Sequence, residues 1–437
     1  MLDNYIYKPL EVDVREKKLR EFLKNGESFG NIKIPRISGI DKNSLKIYRI
    51  PLEYLVYNPH NKRFATRAKT LEKRFGELNS DNPEHIKSIE KFLWDYKKEK
   101  NDSTISSLID NGQLEAGVVT VDGVILAGNR RFRLLNEIRR NPDKYHAPVD
   151  RVGYFEAAII DKKLDKKQIL KFESFFQYGQ DEKVDYGPIE KYLAVNEQKE
   201  EGFSVDEIYK NFQAIADKKK KVEEWLEAYV LMNKYLDHIQ EPGIYTALEK
   251  REEHFLSLNG QLKQLRRGTS ATVRGIWAYD ESDIAEFEIV AFDYIHRYVP
   301  VETFRRLFKI FQNENNWKTF YKRHKELMSE IKIESLDDYR SKSSAQEEEE
   351  LSATRQNDFV EAAKQVDFDR ELKVQINILD EVELESKPID ILKKIASQID
   401  KFKDSLIKSR SSHENEEVVE LLNVIQKEIG HLKQDLD

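Results

Sequence analysis

Gly128, Arg130, Arg131 and Arg133 fall in one short run, Gly128-Asn129-Arg130-Arg131-Phe132-Arg133, and their types and order suit the binding of phosphate. A glycine lets a ligand approach the main chain, the first amides of a helix point outward without partners, and arginines supply paired N–H donors. Three arginines at a helix start oppose the positive end of its dipole, a conflict that a bound anion resolves. The plain alternative is ordinary surface charge, because G-x-R-R-x-R is a short pattern. What precedes the run favours the cradle. Gly117 to Thr120 reads as a strand, Asp122-Gly123 as a hairpin turn and Val124 to Ala127 as the return strand. Gly128 ends the hairpin, and a helix is expected from about Arg130 to Arg140.

Other chemistries find less support. The chain contains no cysteine, which excludes disulfides, thiolate metal sites and cysteine nucleophiles. Its nine histidines are scattered, with no H-x-H or H-E-x-x-H grouping, so metal-dependent hydrolysis has no visible ligand set. At 437 residues the chain is expected to form two or three units. No apolar run approaches the ~20 residues of a membrane span, and the charged N-terminus lacks a signal core, so a cytoplasmic protein without membrane contact is expected. A formal charge of -7 means that contact with nucleic acid has to come from a local basic patch.

The elements that would position the cradle alternate in type. Leu45 to Tyr57 has strand composition, broken by Asn58-Pro59, and Pro83 to Lys98 puts Ile86, Ile89, Phe92 and Leu93 on one helical face. Tyr154 to Ile160 reads as a further strand and Asp165 to Phe176 as a helix; from Tyr186 onward helical periodicity takes over. Ser204 and Glu207 form a capping box that looks like the start of a helix-turn-helix, in which Val222, Trp225, Leu226 and Tyr229 would be the buried face of the second helix. Lys218, Lys219, Lys220 and Lys221 near its start, and Arg266 and Arg267 in a second basic segment, are the candidate nucleic-acid contacts. Glu223, Glu224 and Glu227 on the same helix would repel DNA. The stretch from about Ser341 to Asn357 is charged and aperiodic and reads as a linker. Beyond it, Leu392, Ile395, Ile399, Phe402 and Leu406, then Val418, Leu422, Ile425, Ile429, Leu432 and Leu436, step by three and four. That spacing reads as a helical hairpin or a coiled-coil contact.

Four segments, in order, resemble the ParB/sulfiredoxin superfamily. They are Ile50 to Leu55 with Asn58-Pro59-His60-Asn61-Lys62-Arg63; Ser107 to Gln113; Gly117 to Leu134; and Glu173 and Gln177 with Pro188-Ile189-Glu190. The resemblance covers about residues 45 to 215. It implies a nucleoside triphosphate site with magnesium, CTP being favoured and ATP the alternative, in a protein whose bound nucleotide controls a dimeric clamp on DNA. By that analogy Gly128, Asn129, Arg130, Arg131 and Arg133 hold the triphosphate. Gly112 and Gln113 lie near the sugar or base, and Glu173 faces the metal and any catalysis, a slow NTPase activity at most. The chain departs from the pattern at Asn129, where glutamate or histidine is usual, at Leu114 in place of proline, and at Glu173-Ser174-Phe175-Phe176-Gln177, which has serine for asparagine and one extra residue. Sulfiredoxin activity is excluded because its cysteine is missing.

The fold expected is α+β: an α/β domain of this type, then a helix-turn-helix-like segment and mainly α-helical C-terminal regions. The implied division is 1–44 an extension, 45–180 the nucleotide-binding unit, 181–240 the helix-turn-helix-like segment, 241–338 a further helical domain, 339–358 a charged linker and 359–437 a helical tail. The function expected is a nucleotide-dependent switch on DNA, the partners expected aside from DNA being a second copy or another protein bound by the helical half. The competing expectation is a non-enzymatic nucleotide sensor or scaffold in a multi-protein DNA-processing or phage-defence system. A nuclease, or a small-molecule kinase using Glu53 or Glu173 as base, ranks below both.

Overall fold

The computed structural model describes residues 7–34, 44–147, 152–178, 188–268, 277–342, 348–408 and 416–434. The protein is α+β, predominantly helical, with one small mixed sheet. Strands β1 (Gly30–Lys33), β2 (Ser44–Pro51), β3 (Gly117–Thr120), β4 (Ile125–Ala127) and β5 (Tyr154–Ile160) lie in the order β1-β2-β5-β3-β4. Only β3 and β5 run parallel; the other neighbours are antiparallel. Side chains alternate across this sheet with period two. Val119, Ile125, Phe155, Ala157 and Ile159 enter one apolar cluster, while Val118, Leu126 and Ile160 enter another on the opposite face.

Helices cover both faces. α1 (Val12–Asn25), α2 (Ala65–Phe75), α3 (Pro83–Asp95), α4 (Asn101–Asn111), α5 (Asn129–Arg140) and the short α6 (Pro142–Tyr145) belong to the first side. Leu19, Ile89, Phe92, Leu108, Phe132 and Leu135 pack there, and Phe172 of α7 (Lys166–Tyr178) packs on the other. The expected face of α3 is buried at Ile86, Ile89, Phe92 and Leu93. The expected N-terminal extension is part of this unit: β1 pairs with β2, and buried Arg15 of α1 donates to the Asp122 and Leu10 carbonyls and to Asp81. It thereby clamps the β3–β4 turn, where a Cβ on Gly123 would stand 2.4 Å from the Tyr54 carbonyl oxygen and φ is +89°. Only glycine fits that turn.

The helical half is α8 (Pro188–Glu200), α9 (Val205–Phe212), α10 (Lys219–His238), α11 (Glu252–Gly268), α12 (Glu281–Arg297), α13 (Val301–Phe311), α14 (Glu314–Glu330), α15 (Leu336–Lys342), α16 (Glu348–Gln365), α17 (Phe368–Lys408) and α18 (Glu416–Gln434). One continuous core runs from Ile189 through Trp225, Tyr235, Phe287 and Trp317 to Phe368 and Leu372. The stretches 181–240 and 241–338, expected as separate units, therefore share a core wherever they are described. The capping box of Ser204 and Glu207 is present at the start of α9.

The expected linker is corrected too. Its described residues are the end of α15 and the first turns of α16, which pack back on the body. Leu351, Arg355, Phe359 and Ala363 form a buried stripe at every fourth position. Arg355 lies in it because Glu241 pairs with its Nη1 at 2.8 Å, the Ile239 carbonyl also accepts from Nη1, and the Glu334 carbonyl accepts from Nε. A buried, paired charge interrupts the apolar period, so the stripe is not legible as apolar in the sequence.

The two cores meet along α2. Ala68 packs in the first core and Ala65 in the second; Thr66 donates to Glu190 at 2.9 Å, Lys62 pairs with Glu197, and Arg67 lies 3.6 Å from Glu349.

Burial holds the imidazole of His296 down at about 3, with Arg251 and Arg355 adding to the effect. His60, beside Lys62, is likewise held down at about 3. A histidine kept neutral in the fold binds a proton in the unfolded chain below about pH 6.5, so stability is full above that pH and falls as pH drops toward the folded value. Each such group contributes up to about 1.4 kcal/mol per pH unit. Thermal melts between pH 7 and pH 4 should show Tm falling with acidity, and His296→Gln should flatten that fall even where it lowers Tm throughout. An unchanged slope in the variant would refute the assignment to His296.

Candidate functional site

The Asn58–Arg63 turn, the start of α5 and the middle of α7 converge through one buried residue. Asn58 is fully buried; its main-chain N–H donates to Asn129 Oδ1 at 2.9 Å, its Nδ2 donates to Glu173 Oε1 at 2.5 Å, and its Oδ1 accepts from the His60 N–H at 3.0 Å. Asn129 closes the arrangement by donating from Nδ2 to the Ile125 carbonyl at 2.8 Å. The main-chain N–H and side-chain amide of Asn58 and the amide of Asn129 thus all have partners.

Above it the start of α5 is electropositive. Gly128 takes φ +101° and offers no side-chain cap, and no acidic residue lies in the first turn. A Cβ at Gly128 would stand 2.7 Å from the Phe155 ring and 3.4 Å from Arg131 Nη2, which puts the Arg131 guanidinium beside the helix entrance. Arg131 also donates to the Glu115 carbonyl, and the exposed Glu115 carboxylate is 3.8 Å away. Arg130 donates to Asn101 Oδ1 at 2.9 Å and makes longer contacts with Thr104 Oγ1 and the Lys97 carbonyl. Burial first, and the charge of Arg63 with it, lowers the pKa of both Arg130 and Arg131, although Glu115 opposes this at Arg131. Arg63 comes from the Asn58–Arg63 turn, distant in sequence from the glycine-arginine run, and has no local phosphate-binding signal of its own. Among the described residues the buried Nε atoms of Arg63 and Arg130 have no hydrogen-bond partner. Three guanidiniums close enough to repel, two of them with an unmet buried donor, are an arrangement that suits an anion.

The other expected ligands divide. Arg133 is corrected: it is buried between α3 and α5, stacks over Trp94 at 5.0 Å, and bonds the Glu90 carbonyl and Glu137 at 3.3 and 2.9 Å. It lies about one turn further along α5 than Arg130, where the helix packs on α3. Asn129 uses its amide on Asn58 and Ile125, so it positions the cradle and leaves no side-chain group for the ligand. Gln113 is engaged with the main chain of Glu156, accepting at 2.7 Å and donating at 3.2 Å, and Gly112 ends α4 with its N–H on the Leu108 carbonyl. Both border a polar cleft of about 520 Å³ that also contains Arg49, Asp110 and Glu156. The loop they start leads to Glu115 and so to Arg131.

Glu173 is buried, and burial raises its pKa while Lys62 and Arg63 oppose the rise. Lys62 is shifted down by burial, opposed by Glu173. Glu173 Oε2 has no partner. One free carboxylate oxygen suits a magnesium ion held mainly by phosphate oxygens. No group of three metal-binding side chains occurs among the described residues, so a nuclease centre or a fully protein-held metal has no ligands there. Gln177 carries no described side chain.

The candidate nucleic-acid contacts lie elsewhere. Lys219 pairs with Asp206 at 2.9 Å, Lys220 and Lys221 approach Glu224 at 3.9 and 3.8 Å, and Lys218 is exposed at the N-cap of α10. Tyr235 meets Phe255 while Glu227 meets Asn259 and Lys263, so α10 and α11 run antiparallel, bringing Arg266 and Arg267 toward the start of α10. Arg266 reaches Glu288 at 3.4 Å. The exposed ridge of α10 is Lys220, Glu223, Glu227, Val230, Lys234 and Asp237, which is not basic. Its other faces are buried against the helical core. The ridge does not suit a DNA groove.

Arg133→Ala should lower stability by about 3 kcal/mol by breaking a largely buried ion pair, while leaving anion binding within about twofold. Denaturant unfolding and anion titration of the same variant separate these effects; lost binding in a stable fold would return Arg133 to the ligand.

Comparison with protein-family models, curated proteins and solved structures finds no match for this chain, so the site rests on its own geometry.

Proposed function

We propose that this protein binds a nucleoside triphosphate through its phosphates, held by Arg63, Arg130, Arg131 and the amides at the start of α5. The observation that supports this most directly is the convergence of three guanidiniums on an uncapped helix start, with the Nε donors of Arg63 and Arg130 buried and unmet. Simple surface charge does not account for it, because exposed arginines would separate and take water. A polyphosphate supplies several acceptor oxygens and enough negative charge to offset all three. Magnesium would join Glu173 to the phosphates and lessen the repulsion between them; CTP is the first nucleotide to test, then ATP.

The second reading, a nucleotide-sensing interaction component, is favoured over a DNA-bound switch by the acids on the exposed ridge of α10. On either reading the ligand lies beside the contact between the two cores, since Lys62 and Arg63 are adjacent in one turn and Lys62 pairs with Glu197 of α8. Hydrolysis is not required for such a sensor.

Calorimetric titration of the full chain with CTP, ATP, GTP and UTP in magnesium should give saturable binding of at least one. Arg63→Ala and Arg131→Ala should each weaken it by about 10- to 100-fold, as for loss of a charge-assisted hydrogen bond worth roughly 1.5–3 kcal/mol. Failure of all four to bind a folded protein would sink the proposal. A salt-sensitive gel shift with duplex DNA would favour the DNA-bound switch over the sensor.

A further inference from the structure

α17 is anchored at one end only. Phe368, Leu372 and Gln375 are buried in the helical core and Arg306 holds Asp380, but the large apolar residues from Val382 to Phe402 are exposed. Pro388 lacks the N–H that would bond the Leu384 carbonyl and marks the start of the projecting part. Leu392, Ile395, Ile399 and Phe402 occupy alternating a and d positions there, and Val418, Leu422, Ile425, Ile429 and Leu432 do so in α18. These faces are uncovered: Leu392 and Leu432 are each 59% exposed and Ile425 is 49% exposed.

The width of the faces and the charges beside them identify what covers them. In the first turn of each segment the flanking e and g positions, which are usually charged in a two-stranded coil, are apolar: Ile389 and Ile391 on α17, Val419 and Leu421 on α18, all exposed, whereas the later ones are small, polar or charged. A single partner helix covers one strip of such a surface and leaves the rest in water. The lengths are compatible, about 37 Å for Leu384 to Lys408 and about 28 Å for α18 at 1.5 Å per residue. The charges complement one another. From Glu385 to Lys408, six lysines face four acids, whereas in α18 four glutamates face two lysines. Each α17 therefore prefers α18 to another α17 beside it.

We propose that two copies of this chain associate through these segments, the projecting half of α17 and all of α18 from each forming a four-helix bundle. An intramolecular α17–α18 hairpin alone leaves the e and g residues in water; two hairpins bury them against each other. The bundle stands outside both cores, so its formation does not depend on nucleotide binding.

Sedimentation of the full chain at tens of micromolar should give a mass near twice 51.6 kDa. Ile425→Asp combined with Ile429→Asp should return it to the single-chain mass while leaving the thermal melt of the body unchanged. Ile399→Asp, on the partner helix, should do the same and guards against a local folding defect in α18. A monomeric parent chain, or a dimer that survives both variants, would overturn the proposal. So would a monomer that sediments with anionic phospholipid vesicles, since a lipid surface would then be the occupant.

Discussion

Asn58 is the residue on which the candidate site depends, because three separate segments meet through its hydrogen bonds and none of them can be hydrated there. Its N–H fixes Asn129 at the head of α5, its amide nitrogen fixes Glu173 on α7, and its oxygen shapes the turn to His60. Proline follows it and has no N–H to contribute, so the turn relies on side chains for closure. Losing one member of such a buried set leaves the others unsatisfied, at about 1–3 kcal/mol each. The arginines can be displayed at an uncapped helix start because the two asparagines beneath them are bonded to the segments on either side.

The distribution of charge follows from that division between support and display. The chain is acidic overall, and many of its described lysines and arginines meet a carboxylate nearby, as Lys219 meets Asp206 and Lys263 meets Glu227. Arg63 and Arg130 differ. No carboxylate is hydrogen-bonded to either among the described contacts; Glu173 and Glu99 act on them only through their charge, and Glu115 lies at the solvent edge beside Arg131. Exposed ion pairs contribute little to stability, whereas guanidiniums with unmet buried donors carry a real penalty that only a ligand or water can relieve. The cluster is therefore a stronger pointer to binding than the lysine run of α10, which is more conspicuous in the sequence.

What could be read from the sequence was local. Period-two alternation and the Asp122-Gly123 turn located β3, β4 and β5, and the Ser204–Glu207 box located the start of α9, because each depends on residues within a few positions. The α+β class followed from the same signals. Roles within the cradle were less legible. Arg130, Arg131 and Arg133 look equivalent as letters, and only the turn of the helix against α3 shows that Arg133 is internal. Asn129 and Gln113 read as ligand contacts but are taken up by the main chain of other segments, a long-range fact without a local signature. α16 was hidden for the related reason that its buried stripe includes Arg355, whose partner Glu241 lies far away in the chain.

The turn that bears Arg63 also bears Lys62, and this adjacency ties the candidate site to the rest of the molecule. Lys62 is buried, pairs with Glu197 of the helical half, and feels Glu173 of the α/β half. Three ionisable groups in so dry a place cannot change charge independently, since each protonation alters the field on the others. Negative charge arriving at Arg63 would favour the charged lysine and disfavour the charged glutamate; a cation at Glu173 would act in the opposite sense. The balance at Lys62 bears directly on its bond to Glu197, which is part of the contact between the cores. On the proposed reading, ligand and metal therefore act on the packing of the two halves through a single short turn, with no need for a longer path.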